Sequence, residues 1–132
     1  ESARTFGVIL DTSGSMDRVL LGRAVGAIMS YSMQREVPYV RLVYCDAHPY
    51  DQGYIDVTRL VDYVKIIGRG GTRLQPGVSL LEKAKDFPSG GPLLIITDGM
   101  TDRFQVMREH AYLMPRGASL PFVPKGQVFY LG

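Results

Sequence analysis

The chain has no means of building a disulfide framework, no stretch able to cross a bilayer and no dominant charge. Its single cysteine, Cys45, has no second thiol to pair with, so the fold owes nothing to oxidation. A reducing, cytoplasmic compartment is the expectation. The longest plain apolar run, residues 93–96 (LLII), falls far short of the roughly 20 residues a membrane helix needs, so no membrane insertion is expected. Fifteen basic against 13 acidic side chains leave a net charge of +2, too little for a field that would hold nucleic acid. The sequence starts at Glu1 with neither the basic nor the apolar segment of a signal peptide, and it reads as a domain excised from a longer protein. It also has no internal repeat, low-complexity tract or linker. At 132 residues it makes one domain, 1–132, which buries roughly two-thirds of its unfolded surface.

Short apolar runs alternate with amphipathic ones. Residues 5–10 (TFGVIL) read as a buried strand that feeds the turn-forming cluster Asp11, Thr12, Ser13, Gly14, Ser15. Residues 18–35 place Val19, Leu20, Ala24, Ala27, Ile28 and Tyr31 near helical spacing, and Pro38 stops the pattern. A β-branched and aromatic strand follows at 39–44, then an edge strand at 50–57. Thr58 is the expected cap of a helix through Ile67, and Pro76 opens another that runs to about Phe87. The apolar strand 93–96 ends on Thr97, Asp98, Gly99. Residues 103–113 read as a helix, and the last strand signal is Val128, Phe129, Tyr130. This alternation predicts an α/β domain with a mostly parallel sheet covered by helices on both faces. Such sheets bind ligands beyond the carboxyl ends of their strands, where strand order reverses. Asp11 and Asp98 both stand at such ends.

Asp11, Ser13 and Ser15 alternate, so one extended turn can aim three oxygens at a common point. Thr72 follows Gly70 and Gly71, whose missing side chains permit close approach. Oxygen donors without sulfur or imidazole suit a hard cation such as Mg²⁺, Mn²⁺ or Ca²⁺. Two carboxylates and three hydroxyls would leave that cation electron-poor and open to an acidic group from outside.

The ordered set Asp11-Thr-Ser13-Gly-Ser15, Thr72 in a glycine loop and Thr-Asp98-Gly after an apolar strand resembles the metal-ion-dependent adhesion site of von Willebrand factor type A (VWA) domains. The resemblance runs from Phe6 to Leu131 and fills all five positions of the pattern. It implies a doubly wound sheet with the metal, Mg²⁺ by expectation, at its carboxyl edge. It also implies Ser13 and Ser15 as direct ligands, Thr72 as a switchable one, and Asp11 and Asp98 as holders of metal-bound water. A protein partner would supply an Asp or Glu to complete the shell. The segment from Tyr112 onward looks most like a bacterial branch whose members often accompany a AAA-type ATPase. Met16, Asp46, Arg69, Arg73 and Met100 are the expected rim, although a loop cap is the favoured reading of Asp46. Arg73 departs from the acid or amide that many relatives carry after the threonine; with Arg69 it can clamp an incoming carboxylate or repel the cation. The sixth strand and last helix of larger members are expected to be reduced or absent.

Enzyme readings fit less well. Gly70 to Pro76 also looks like the G-T-R-L-x-P signature of sugar-phosphate nucleotidyltransferases, yet it lies mid-chain with no Pro-Lys after it. A haloacid-dehalogenase-like phosphatase with Asp11 as nucleophile needs an acid two residues on, where Ser13 stands. There is no P-loop and no G-x-S-x-G serine. A purely structural VWA domain is the remaining alternative. Cys45 reads as a buried strand residue, His48 as a loop residue and His110 as a helix-surface one.

Overall fold

In the computed structural model, residues 5–12, 18–63 and 73–131 are described. They form a six-stranded mixed sheet in the order β3-β2-β1-β4-β5-β6. Its strands are β1 (Gly7–Asp11), β2 (Tyr39–Cys45), β3 (Pro49–Asp56), β4 (Leu93–Ile96), β5 (His110–Pro115) and β6 (Gln127–Leu131). Only β3 runs antiparallel to its neighbour, with a register shift between Leu42 and Val43. Helix α1 (Arg18–Gln34) connects β1 to the parallel β2, and α2 (Gln75–Lys83) precedes β4. A 3₁₀ helix, Val57–Tyr63, follows β3.

Every residue of β1 is buried, and Leu93, Ile95 and Ile96 of β4 are too. These strands are enclosed on both sides, which is why their sequences are continuously apolar. Val8, Leu10, Val40, Leu42 and Ile96 face α1 through Leu21, Ala24, Val25 and Ile28. Ile9, Val43, Cys45 and Ile95 face α2 through Leu74, Val78 and Leu81. Gly77 permits that second contact, because a Cβ there would stand 3.2 Å from both Cβ and Sγ of Cys45.

Strand order reverses at β1, which pairs with β2 on one side and β4 on the other. The chain leaves β1 in one direction and returns on its far side, so the carboxyl ends of β1 and β4 lie next to each other. Sequence periodicity misassigned the region after β4. The helix expected at 103–113 is absent; residues 97–109 are irregular and β5 starts at His110. Within β5, Tyr112 and Met114 pack on the α2 side and Leu113 on the α1 side, a period of two that only pairing with β4 and β6 makes visible. His110 is thus a strand residue and not a helix-surface one, and the sheet keeps its sixth strand. Helix α2 stops at Lys83, short of Phe87, which is buried in the following turn. At the 3₁₀ helix, Asp56 is the cap: its Oδ1 accepts from Thr58 N at 2.9 Å and Thr58 Oγ1 at 2.7 Å.

At the amino end of β2 one cation is buried on the α2 side. Arg41 is 5% exposed and grips Asp51 of β3 with two parallel bonds, Nε to Oδ1 at 2.9 Å and Nη2 to Oδ2 at 2.6 Å. Its Nη1 lies 2.9 Å from Asp86 Oδ1, an ion pair by distance whose angle falls short of a hydrogen bond. Tyr54 stacks on the guanidinium at 5.0 Å and donates its hydroxyl to the Asp86 carbonyl. The edge hairpin is thereby tied to the segment after α2.

The Arg41 hydrogen bonds hold the Asp51 carboxyl below its ordinary value despite partial burial. The unfolded chain therefore takes up this proton first as pH falls. The stabilisation is complete above Asp51's unfolded value and is lost as pH drops through the lower folded one. Asp51→Asn should cost about 1–3 kcal/mol at neutral pH, because it removes one partner of a buried donor. Urea melts from pH 7 to pH 3 should show a shallower loss of stability on the acid side in that variant than in the parent.

Candidate metal centre

The ends of β1 and β4 place two carboxylates at one edge of the sheet. Asp11 closes β1 and is wholly buried. Its Oδ2 accepts a 2.7 Å hydrogen bond from Thr97 Oγ1, on the residue after β4. Thr97 is also wholly buried and relays further: its Oγ1 accepts from Gly99 N at 3.1 Å, and its own N–H donates to Leu113 O at 3.2 Å. One hydroxyl thus joins the end of β1 to the turn that carries Asp98.

That turn has a fixed shape. Gly99 has φ +86°, in the left-handed region, and a Cβ there would fall 2.1 Å from Ser119 O. Both facts require glycine. Asp98, half-buried, accepts from Met100 N at 2.9 Å through Oδ1, and Met100 stands 71% exposed beside it.

Asp46 and Arg73 belong to the same edge. The residue after Asp11 extends the ladder, with Thr12 N donating to Cys45 O at 3.0 Å. Asp46 is 9% exposed and closes its own turn, its Oδ1 accepting from Ala47 N at 2.5 Å and His48 N at 3.0 Å. Arg73 N donates to Asp46 O at 2.6 Å, and Cys45 Sγ donates to Arg73 O at 3.3 Å. The Arg73 side chain is exposed. Burial pushes the Cys45 thiol up to about 11, which favours its protonated form.

The structure therefore gathers Asp11, Asp46, Arg73, Asp98 and Met100 at the carboxyl edge. Ser13, Ser15, Met16, Arg69 and Thr72 lie outside the described residues. Among the described residues no group of three or more His, Cys, Asp or Glu side chains is placed to hold a metal. What does fit a hard cation is the chemistry at the end of β1. The Asp11 carboxylate is fully buried there, and the hydroxyl of the next residue, Thr12, is wholly buried and without a hydrogen-bond partner among the described residues. An orphaned buried hydroxyl costs free energy unless water or a ligand satisfies it. Neither Thr12 nor Thr97 stood out in the sequence. The threonine before Asp98 was the available signal, since a β-branched alcohol ending an apolar strand can bond across to the neighbouring strand end.

Thr97→Val keeps the shape and removes the hydroxyl, leaving Asp11 and Gly99 N without that partner. Thermal denaturation should register a loss of about 1–3 kcal/mol. Thr97→Ser should recover most of it, whereas equal losses in both variants would mean that packing of the methyl group matters more than the hydrogen bond.

No protein-family model matches the chain, and no curated protein matches it in sequence. Solved structures do. An aerotolerance-related membrane protein from Bacteroides fragilis superposes with TM-score 0.62 at 18% identity, over 89% of this chain and 72% of that one. The conserved hypothetical protein BatB from Bacteroides thetaiotaomicron superposes with TM-score 0.62 at 17% identity, over 89% and 71%. Among the described residues of the present chain, no helix is long and apolar enough to cross a membrane. At these identities the likeness is one of fold, and the fold is a six-stranded mixed sheet with helices.

Proposed function

We propose that the chain is a doubly wound domain of VWA type that binds a divalent cation, Mg²⁺ by preference, and uses it to capture an acidic side chain of a protein partner. The observation that supports this reading is that two aspartates follow neighbouring parallel strands at the reversal point of the sheet, with the fully buried Asp11 joined through Thr97 to the turn that carries Asp98. Asp11 and Asp98, with Ser13, Ser15 and Thr72 from outside the described residues, are the proposed donors. The set is all oxygen and carries two negative charges, so it matches a hard cation and leaves that cation able to attract a third carboxylate.

The chain's own residues supply the rest. Thr97 ties the Asp11 carboxylate to the turn that carries Asp98. Arg73, exposed at the same edge with Arg69 nearby in sequence, gives an incoming acid a positive rim. Met100 gives it an exposed apolar contact. A single metal-carboxylate bond supplies little specificity by itself, so recognition rests on such rim contacts. The proposed role is binding and not catalysis, with a AAA-type ATPase as one partner of suitable kind.

The first test is a melting curve with Mg²⁺, Mn²⁺ or Ca²⁺ against EDTA. Metal at a hundredfold excess over its Kd should add about 2.7 kcal/mol of stability. Asp98→Ala should abolish that increment, as should Asp11→Ala if it folds. A melting curve indifferent to all three metals would count against a working site. Capture of a partner should then disappear in EDTA. Hydrolysis of a generic phosphate ester that is lost in Asp11→Asn would overturn the binding role in favour of an enzyme.

A further inference from the structure

The irregular segments around β5 leave space on the α2 face that no helix fills. A cavity of about 580 Å³ opens there, within the roughly 300–1,000 Å³ range of small-ligand pockets. Tyr112 of β5 lines it and is 1% exposed. Phe104 and Phe122 line it as well, packed edge to face with ring centroids 5.0 Å apart, and Phe104 lies 6.2 Å from the Tyr112 ring. The apolar lining is thus mainly aromatic, with Val106 and Val123 completing it.

The charged part has one sign. Arg103 and Lys125 line the cavity beside His110, and no acidic residue does. Arg103 and Lys125 are exposed, and neither belongs to an ion pair among the described residues. Arg103 packs over Phe122 at 6.0 Å and donates Nη1 to Pro121 O at 3.0 Å, which holds it at the rim with further N–H groups to spare. His110 Nδ1 lies 2.7 Å from Arg108 O, and a carbonyl only accepts, so Nδ1 carries the proton and Nε2 is the nitrogen left to bind something else. Tyr112 adds no negative charge, because burial pushes its phenol up to about 12.

The rim is also preformed. Gln75 at the start of α2 accepts from Gln105 N at 2.8 Å and donates to Gln105 O at 3.0 Å, a paired contact that fastens this irregular segment to the helix. A cavity held open in this way costs little to organise on binding. None of Asp11, Asp46, Asp98 or Arg73 lines it, so it is separate from the candidate metal centre.

We propose that this cavity is a binding site for a small aromatic anion, a planar ring carrying a carboxylate or phosphate group. The ring packs among Phe104, Tyr112 and Phe122, and the anionic group meets Lys125 and Arg103. An inorganic anion would leave the aromatic walls unused, and a neutral aromatic would leave two cations unpaired, so the two features together select the class.

The probes are phenyl phosphate and benzoate, titrated into the full chain by calorimetry and by amide shift mapping, with inorganic phosphate and benzyl alcohol as the single-feature controls. Phenyl phosphate or benzoate should bind saturably and at least tenfold more tightly than either control, and amides near Phe104, Tyr112 and Phe122 should shift. Lys125→Met and Arg103→Gln, both exposed positions where substitution leaves folding nearly unchanged, should each weaken binding at least fivefold. The affinity should be the same in EDTA and in Asp98→Ala, so this result stands or falls independently of the metal reading. Three results would overturn the proposal: no saturable binding of either aromatic anion, equal affinity for a control, or full affinity in the Lys125→Met, Arg103→Gln double variant.

Discussion

A carboxylate withdrawn completely from water has to be met by donors or by a cation, and Asp11 is withdrawn completely. The Thr97 hydroxyl meets it from the end of the neighbouring strand at 2.7 Å. That contact exists only because the chain reverses direction across β1, setting β4 beside it in parallel register from Gly7 opposite Leu93 to Leu10 opposite Ile96. The same hydroxyl accepts from Gly99 N, so the geometry of the Asp98 turn depends on where β1 ends. Shifting β4 by one residue would turn Thr97 away from Asp11 and invert every side chain of LLII between the α1 and α2 faces. Packing of the core and placement of the carboxylates are therefore one constraint and not two.

The two ends of the sheet solve opposite electrostatic problems. At the amino end, Arg41 is buried with its counter-charges already in place, Asp51 by two hydrogen bonds and Asp86 by an ion pair. Charge there is neutralised within the chain, and the site is closed to ligands. At the carboxyl edge, Asp11 has a hydroxyl partner from Thr97, Asp46 spends Oδ1 on its own turn, and the Thr12 hydroxyl has no partner among the described residues. Buried polar atoms without a hydrogen-bond partner occur at both ends, Arg41 Nη1 at one and the Thr12 hydroxyl at the other, with Ser32 Oγ on α1 as a third. The ends differ in charge pairing: Arg41 is matched by Asp51 and Asp86 within the chain, whereas the carboxyl edge carries the proposed donors Asp11 and Asp98.

Much of this was legible in the sequence, for physical reasons that differ by residue. Strands β1 and β4 are enclosed on both faces, so they announce themselves as apolar runs, and the aspartates that end them stand out against that background. Helix α1 was readable in extent to within a residue, but its buried face was not: Leu21, Ala24, Val25 and Ile28 are inside, whereas Val19, Ala27 and Tyr31, read as part of the apolar stripe, are exposed. Strand β5 was not readable. The segment before it offers Phe104 and Val106 to the α2-side cluster from irregular backbone, and these merge with Tyr112 and Leu113 into a spacing that imitates a helix. Tertiary pairing with β4 and β6 decides the matter, and a local pattern contains no information about it. Arg41 was hidden for a similar reason: a lone arginine inside YVRLVY looks like a surface residue until the hairpin folds Asp51 over it. Thr97 lay in plain view beside Asp98, but its partner is 86 residues away in sequence.

The missing helix has a consequence for the α2 face. Where a helix would have covered β5 with a continuous apolar stripe, the irregular segment covers it with Phe104 and leaves concave space between Phe104, Phe122 and the cationic rim. Such a loop must satisfy its backbone groups without a helical ladder, and it does so through side chains from elsewhere: Gln75 for Gln105, and Glu82 Oε2 for Met107 N at 2.7 Å. Arg108 works in the other direction, donating to Pro88 O and Gly91 O at 2.9 Å, so the segment is fastened to the turn before β4 as well. Gln75 and Glu82 both sit on α2. The position of α2, set in turn by the close fit of Gly77 on Cys45 beside the carboxyl edge, therefore fixes the shape of the cavity too. The carboxyl edge and the cavity are separate, yet a single helix packed through one glycine borders both.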